Sequence, residues 1–457
     1  MAFPPLPETL FHSSPLLLIN STTTTEYQYP FIQHSSFIKI TIMGSVEANG
    51  HPKVFINVGA KNVPFYTPIQ DPPAGTPWDV QPEGSLFSPL KLRGLTLHNR
   101  IIVSPMCQYS AKDGYMTPWH KQHLGSFAAR GPGLIITEVN AVSPEGRISP
   151  QDAGIWEDGQ LEPLKEIVDF VHSQGARIAI QMGHAGRKAS TVVPWLDRKN
   201  TAVKEAGGWP DEVVAPSAIP YSPESLTPRE MTSDDIARFK QDWVAAVKRA
   251  LKAGFDAIEI HAAHGYLLNA FLSPASNQRT DQYGGSFENR IRILLEIVQL
   301  TRDIVPEDFP LLVRMPGTDY LEFDSSLPQW HIEEAAKLGQ ILAANGIDLI
   351  DISGGGLDSR QKITSAPGYQ VPYASAVKKA VKDTGVAVTS VGMITSGKQA
   401  QGYLSDGSVD AVLVGRGFLK DPNLVWHWAD ELDVDIHVAS QYGWGFGMTR
   451  THRHRKH

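Results

Sequence analysis

Cysteine is nearly absent: Cys107 stands alone in 457 residues. No intramolecular disulfide can form, and neither a cysteine-ligated iron–sulfur cluster nor a structural zinc site of several thiolates can be assembled within one chain. Such usage fits a reducing compartment, and a cytoplasmic location is the expectation. Long apolar runs are missing as well. The longest aliphatic run of the N-terminal segment, Leu16–Ile19, is too short for a membrane span or a signal-peptide core. Residues 1–43 contain no arginine, which weighs against a mitochondrial targeting segment. A net charge of -7 offers no basic surplus for nucleic acid or an anionic membrane. No Gly-x-Gly-x-x-Gly follows a first strand, which counts against a Rossmann domain.

What is present is alternation. From residue 98 onward, short apolar runs alternate with helical patterns. The runs Ile101–Ser104, Leu134–Thr137, Arg177–Gln181, Ala257–His261, Leu311–Arg314, Leu349–Ser353, Ala387–Val391 and Ala411–Gly415 are mostly β-branched or aliphatic. Strands covered on both faces have that character. Between them, Ser233 caps a helix that opens with Asp234 and Asp235. That helix presents Ile236, Phe239, Trp243, Val247 and Leu251 on one face and stops at Gly254. Ser286 precedes a helix burying Ile291, Leu294, Leu295 and Val298. The pattern spells an α/β chain folded as a (β/α)8 TIM barrel, with a doubly wound open sheet as the alternative. Segment 183–232, with Trp195, Trp209 and several prolines, reads as a long insertion over the barrel mouth after the third strand, with room for a hairpin. An ordinary surface loop is the plainer alternative. The expected organisation is a largely extended or disordered leader over residues 1–82, a barrel over 83–442 and a basic tail over 443–457. The leader includes a second start at Met43-Gly44 and a proline-rich lead-in.

In a barrel, chemistry gathers at the C-terminal ends of the strands. The fourth run delivers His261, His264 and Tyr266. Imidazoles donate hydrogen bonds to an oxygen that gains negative charge, and a phenol can deliver a proton. The trio suits reduction of an electron-poor double bond beside a carbonyl. Taken alone, the histidines could be core residues or metal ligands, but a third ligand is missing, and no metal is expected. Tyr266 alone would be a packed tyrosine. The last three strand ends deliver Gly354-Gly355-Gly356, Gly392-Met393 and Gly415-Arg416. Their backbone N–H groups and the Arg416 guanidinium suit a phosphate, although glycines also simply end strands. Gln181 is a donor and an acceptor in one side chain, suited to a flavin's N3–H and neighbouring carbonyl. Arg314 can stabilise the negative charge of a reduced flavin, or can form a buried salt bridge to Glu259 or Asp351.

Three stretches carry a more specific signal. They are Asn99-Arg100 with Ser104-Pro105-Met106-Cys107-Gln108-Tyr109, then His184-Ala185-Gly186-Arg187-Lys188, then His261 to Arg290. Together they resemble the motifs of the old yellow enzyme family of FMN-dependent ene-reductases. The likeness is to its thermophilic-like branch, as a fungal-type member, and runs from about Leu86 to Tyr442. It implies an FMN-binding barrel over 83–442. Pro105, Met106, Cys107, Gln181, His261, Arg314, Gly355, Gly392, Met393, Gly415 and Arg416 would hold non-covalent FMN. His261 and His264 would grip a substrate oxygen, Tyr266 would give a proton, and Tyr109 would be a further substrate contact. Cys107 would tune the flavin, where the plainer reading is a small buried hydrophobe.

The implied reductant is NADPH, or NADH, binding transiently. The implied substrates are small activated alkenes, namely α,β-unsaturated carbonyl or nitro compounds. They would take hydride from the flavin N5 at the β-carbon and a proton from Tyr266 at the α-carbon. Dedicated secondary-metabolite reductases or isomerases and flavin oxidases or demethylases remain alternatives on this barrel. A non-catalytic flavin-binding protein would have lost members of the set, and none is lost. Neither nucleic acid nor membrane is an expected partner, and a homodimer or homotetramer is the family's assembly. The chain departs from the pattern at its end. Gln441-Tyr442 is followed by Gly443-Trp444-Gly445, where bacterial members place an arginine that enters the neighbouring subunit's site. That departure puts a shared site of this kind in doubt.

Overall fold

The computed structural model describes residues 56–197 and 200–447, together with the backbone of Gly44–Val46 and Pro52–Val54. The chain divides into two units, 1–57 and 58–457. In the first, Gly44–Val46 pairs antiparallel with Pro52–Val54.

The second unit is a closed parallel barrel. Its strands are β1 (Ile101–Val103), β2 (Leu134–Ala141), β3 (Ile178–Gly183), β4 (Ala257–His261), β5 (Leu311–Met315), β6 (Leu349–Ile352), β7 (Ala387–Ser390) and β8 (Ala411–Val414). Each pairs with its successor, and β8 closes on β1. Every strand residue is buried, which is why the runs lack polar alternation. Strand β2 continues past the expected Thr137 to Ala141 through a bulge between Ile136 and Val139. The Asn140 amide bonds across that bulge to the Glu138 carbonyl at 2.8 Å.

Helices α1 (Pro118–Ala128), α2 (Leu161–Ser173), α3 (Ser233–Ala253), α4 (Leu267–Leu272), α5 (Phe287–Arg290), α6 (Arg292–Arg302), α7 (Ile332–Ala344), α8 (Val371–Ala380), α9 (Gly397–Ser405), α10 (Arg416–Lys420) and α11 (Leu424–Glu431) fill the strand connections. The α3 cap is Thr232, not Ser233. Its hydroxyl accepts from Asp235 N at 3.2 Å, and the Asp235 carboxylate accepts from Thr232 N at 2.8 Å. This reciprocal pair ties down two N–H groups that the first turn leaves open. Gly254, at φ 91°, ends the helix as expected.

Two apolar layers stand apart. Inside the barrel, Ile102, Ile136, Ala179, Leu312, Leu349 and Leu413 pack on a ribbon of Leu90–Leu92 and Leu95–Leu97. That ribbon stops the N-terminal end, so only the C-terminal mouth is open to chemistry. Outside, helix faces pack on the strands, with Trp243 of α3 fully buried and its indole donating to Thr301 of α6 at 2.9 Å.

The insertion after β3 contains a short pair, Val214–Ala215 with Arg229–Glu230, but the pair is parallel. The hairpin anticipated there does not form, because the chain crosses over through 216–228 instead of turning back. Arg187 fastens this segment by donating to the carbonyls of Ile219, Pro220 and Leu357. The lead-in is pinned near the C-terminal end of the unit. Gly75 N donates to His437 O at 2.8 Å, and the Trp78 and His437 rings stack 3.8 Å apart. Among the described residues no helix is long and apolar enough to cross a membrane.

Removing the Trp243 side chain deletes one of the largest buried groups. Trp243→Ala should cost roughly 3–5 kcal/mol, against about 1 kcal/mol for Thr232→Ala. Chemical denaturation of the two variants against the parent checks both the direction and the ratio.

Candidate active site

Strand β4 ends at His261, and the chain then makes a tight turn through His264 at φ 63° and Gly265 at φ 73°. Gly265 donates to Asn269 Oδ1 at 2.7 Å. A Cβ on Gly265 would lie 2.0 Å from the carbonyl oxygen of Gly356, so only glycine fits. The turn gathers three rings. Centroids of His261 and His264, and of His261 and Tyr266, are 5.1 Å apart, and those of His264 and Tyr266 are 6.4 Å apart.

Burial sets the protonation states of the trio. It pushes His264 down to about 3 and His261 well below the ordinary histidine value, helped by the positive charge of Arg314 and Lys188. Both imidazoles are therefore neutral at physiological pH, each with one N–H to donate. His264 Nε2 lies 2.8 Å from Ser353 Oγ, which holds its ring. His261 Nδ1 is buried without a hydrogen-bond partner. Burial also raises the Tyr266 phenol and the Cys107 thiol well above their ordinary values, so both keep their protons. Cys107 and Tyr266 pack against Val139, Ile148 and Trp209, an apolar wall. Tyr109, at φ 50°, meets the Trp195 ring edge-on at 5.7 Å.

Beside the trio opens a cavity of about 810 Å³. Of the residues expected at a cofactor, Pro105, Met106, Arg314, Gly392, Met393, Gly415 and Arg416 line it. Gln181 and Arg314 belong to a buried polar layer just inside the mouth. Gln181 Nε2 donates to Glu259 Oε2 at 2.7 Å. That leaves the Gln181 carbonyl to accept from an imide N–H. Arg314 pairs with Asp351 and donates to Ser104 Oγ at 2.9 Å. Of the two salt bridges considered from sequence, the Asp351 pair forms directly, while Glu259 acts on Arg314 through its charge. Cys107, His261 and Gly355, also expected at the cofactor, do not line the cavity; Gly354, beside Gly355, does.

Sequence reading missed part of the wall. Tyr369 and Gln370 precede α8, while His427, Trp428 and Glu431 come from α11. No local motif marks them, because they reach the cavity only through the closure of the barrel. Tyr109 and Tyr266 share a second cavity of about 330 Å³ under the insertion.

These features fit FMN. The cavity has the size of a cofactor site. A cation and glycine backbone lie at one side, where a phosphate needs them. Gln181 and Arg314 supply an acceptor and a permanent charge for the ring system. Since Gly265 admits no side chain, Gly265→Ala should shift the turn and lower turnover at least ~100-fold, as displacements on the order of 1 Å do at reacting centres. Steady-state kinetics with circular dichroism to verify the fold would test this.

The NADH:flavin oxidoreductase / NADH oxidase family model matches residues 85–434. An NADH:flavin oxidoreductase of Gibberella zeae is 51% identical over 414 residues, spanning 88% of this chain and 99% of its own. An NADPH dehydrogenase of Geobacillus thermodenitrificans is 43% identical over 365 residues, spanning 79% of this chain and 99% of its own. Among solved structures, morphinone reductase is similar with a TM-score of 0.61 at 30% identity, covering 76% of this chain and 90% of its own. Old yellow enzyme from Pichia has a TM-score of 0.62 at 28% identity, covering 77% and 88%. The chain belongs to the NADH:flavin oxidoreductase / NADH oxidase family, that of old yellow enzyme, and is an FMN-dependent oxidoreductase with a nicotinamide reductant.

Proposed function

We propose that the protein is an ene-reductase acting on small α,β-unsaturated carbonyl or nitro compounds, with NADPH as its reductant. The reading rests on one observation above the others. His261, His264 and Tyr266 converge beside the cofactor cavity, the imidazoles neutral and the phenol protonated. Pro105, Met106, Gln181, Arg314, Gly392, Met393, Gly415 and Arg416 hold FMN, which when bound supplies hydride to the substrate's β-carbon.

His261 and His264 each donate an N–H to the substrate oxygen. Because they are neutral, they stabilise the charge that grows on that oxygen without transferring a proton to it. Ser353 holds the His264 ring at one nitrogen and leaves the other for the substrate. Tyr266 gives its proton to the α-carbon. A phenol of ordinary pKa ~10, raised further here by burial, is a weak acid, but the developing carbanion is a far stronger base. Val139, Ile148, Trp209 and Cys107 give the Tyr266 ring an apolar backing.

His264→Ala should slow the enone half-reaction by about two to three decades, or roughly 3–4 kcal/mol, with a much smaller effect on reduction by NADPH. Tyr266→Phe should spare reduction by NADPH and impair enone turnover more than nitroalkene turnover, since water can protonate a nitronate. Anaerobic stopped-flow with 2-cyclohexen-1-one reads both half-reactions. Equal losses in the two for His264→Ala would refute its role, and undiminished enone turnover in Tyr266→Phe would remove the proton donor.

A further inference from the structure

Lys188 follows β3 in the His184–Lys188 run, and the chemistry above gives it no task. Its ammonium sits at a junction of three loops. It donates to the carbonyl of His264, at 2.8 Å, and to that of Gly356, at 2.9 Å. The first carbonyl belongs to the turn after β4 and the second to the loop after β6. The same nitrogen lies 5.0 Å from the ring centroid of Tyr266 and 4.7 Å from that of Tyr221, which comes from the insertion. Lys188, Tyr221 and Tyr266 all line the cavity of about 330 Å³.

A neutral donor would serve to hold two carbonyls, and a cation held out of water is costly unless something nearby needs its charge. No carboxylate is among the influences on Lys188, which are its burial and the neighbouring Arg187. Arg187 is itself engaged with the carbonyls of Ile219, Pro220 and Leu357. The titratable and charged groups around Lys188 are Arg187, His261, His264, Tyr221 and Tyr266, with Tyr109 and Glu224 on the lining of the same cavity. Of these, Tyr266 is the one whose charge changes during the proposed reaction. Its O–H bond breaks, a C–H bond forms at the α-carbon, and a phenolate is left.

We infer that Lys188 is a positioning residue for the proton donor: it fixes the turn that carries His264 and Tyr266, and its charge stabilises the phenolate left when Tyr266 gives up its proton. The inference rests on the assignment of Tyr266 as donor. Attraction between an ammonium and an aromatic face within about 6 Å orients the ring before the step, and the attraction grows once the ring is anionic. Burial lowers Lys188 to about 7, so the charge is present below neutral pH and lost as pH rises through that value.

The test is a double-mutant cycle on the holoenzyme, read by anaerobic stopped-flow with NADPH and then 2-cyclohexen-1-one. Lys188→Met should slow the cyclohexenone half-reaction ~10-fold and leave the NADPH half-reaction little changed. In a Tyr266→Phe background the same substitution should cost much less, the remainder being the effect of the turn on His264. A full additional loss in the double variant would overturn the inference and leave the ene-reductase reading intact. An unaltered cyclohexenone half-reaction in Tyr266→Phe alone would overturn the donor assignment, and the inference with it. A second measurement does not depend on the methionine variant. The wild-type cyclohexenone rate should fall as pH rises through about 7, and in Lys188→Arg the fall should be clearly smaller because the charge persists. Burial also raises the carboxyls of Asp152, Asp319 and Glu259, and all three are unchanged in Lys188→Arg. Identical profiles in the two proteins would therefore overturn the role of Lys188.

Discussion

A buried ionic layer across the barrel governs how the mouth is built. Arg314 on β5 is almost fully enclosed and could not stay charged alone. It is matched by Asp351 on β6, which accepts in turn from Thr389 of β7, and by the charge of Glu259 on β4. Glu259 orients Gln181 of β3, and Arg314 reaches Ser104 beyond β1. Six barrel positions are thereby tied into one network above the apolar plug. Removing any member would strand its partner in a low-dielectric interior. Arg314 and Ser104 of this network also line the cofactor cavity, so one charge that holds the barrel's polar layer together is turned to the cofactor.

Above that layer, backbone rather than side-chain chemistry sets the geometry. The β4 turn and the β6 loop come so close at Gly265 and Gly356 that no side chain fits between them. This contact orients the rings of His261, His264 and Tyr266 as a group. Burial then acts in opposite directions on two kinds of acid. It strips the proton from imidazolium and retains it on phenol, leaving neutral donors beside a protonated tyrosine.

The barrel was legible in the sequence because each of its strands is buried on both faces and reads as an apolar run. The extension of β2 was not, since Thr137 and Glu138 look like a strand end and only the tertiary structure turns them into a bulge. Thr232 and Ser233 are adjacent hydroxyl residues, and which one caps depends on a half-turn of backbone. Gly354 and Gly355 are chemically identical, and only the folded loop distinguishes them. The trio after β4 was legible because it is contiguous in the chain. Tyr369, before α8, and Trp428, in α11, were not, because they are distant in sequence and meet at the cavity only when the barrel closes. The parallel pair in the insertion spans too few residues to leave a periodicity.

The joining of the lead-in to the segment after α11 has a topological consequence. Pro77 bridges to Ile436, and Gln70 binds Ser440 and Gln441, so the path into the barrel and the path out of it meet at one seam. The unit is a ring in all but covalent linkage. Its sequential start is an accident of where the ring is cut, and a chain opened at a distant exposed loop and joined across the seam would retain the same neighbours throughout.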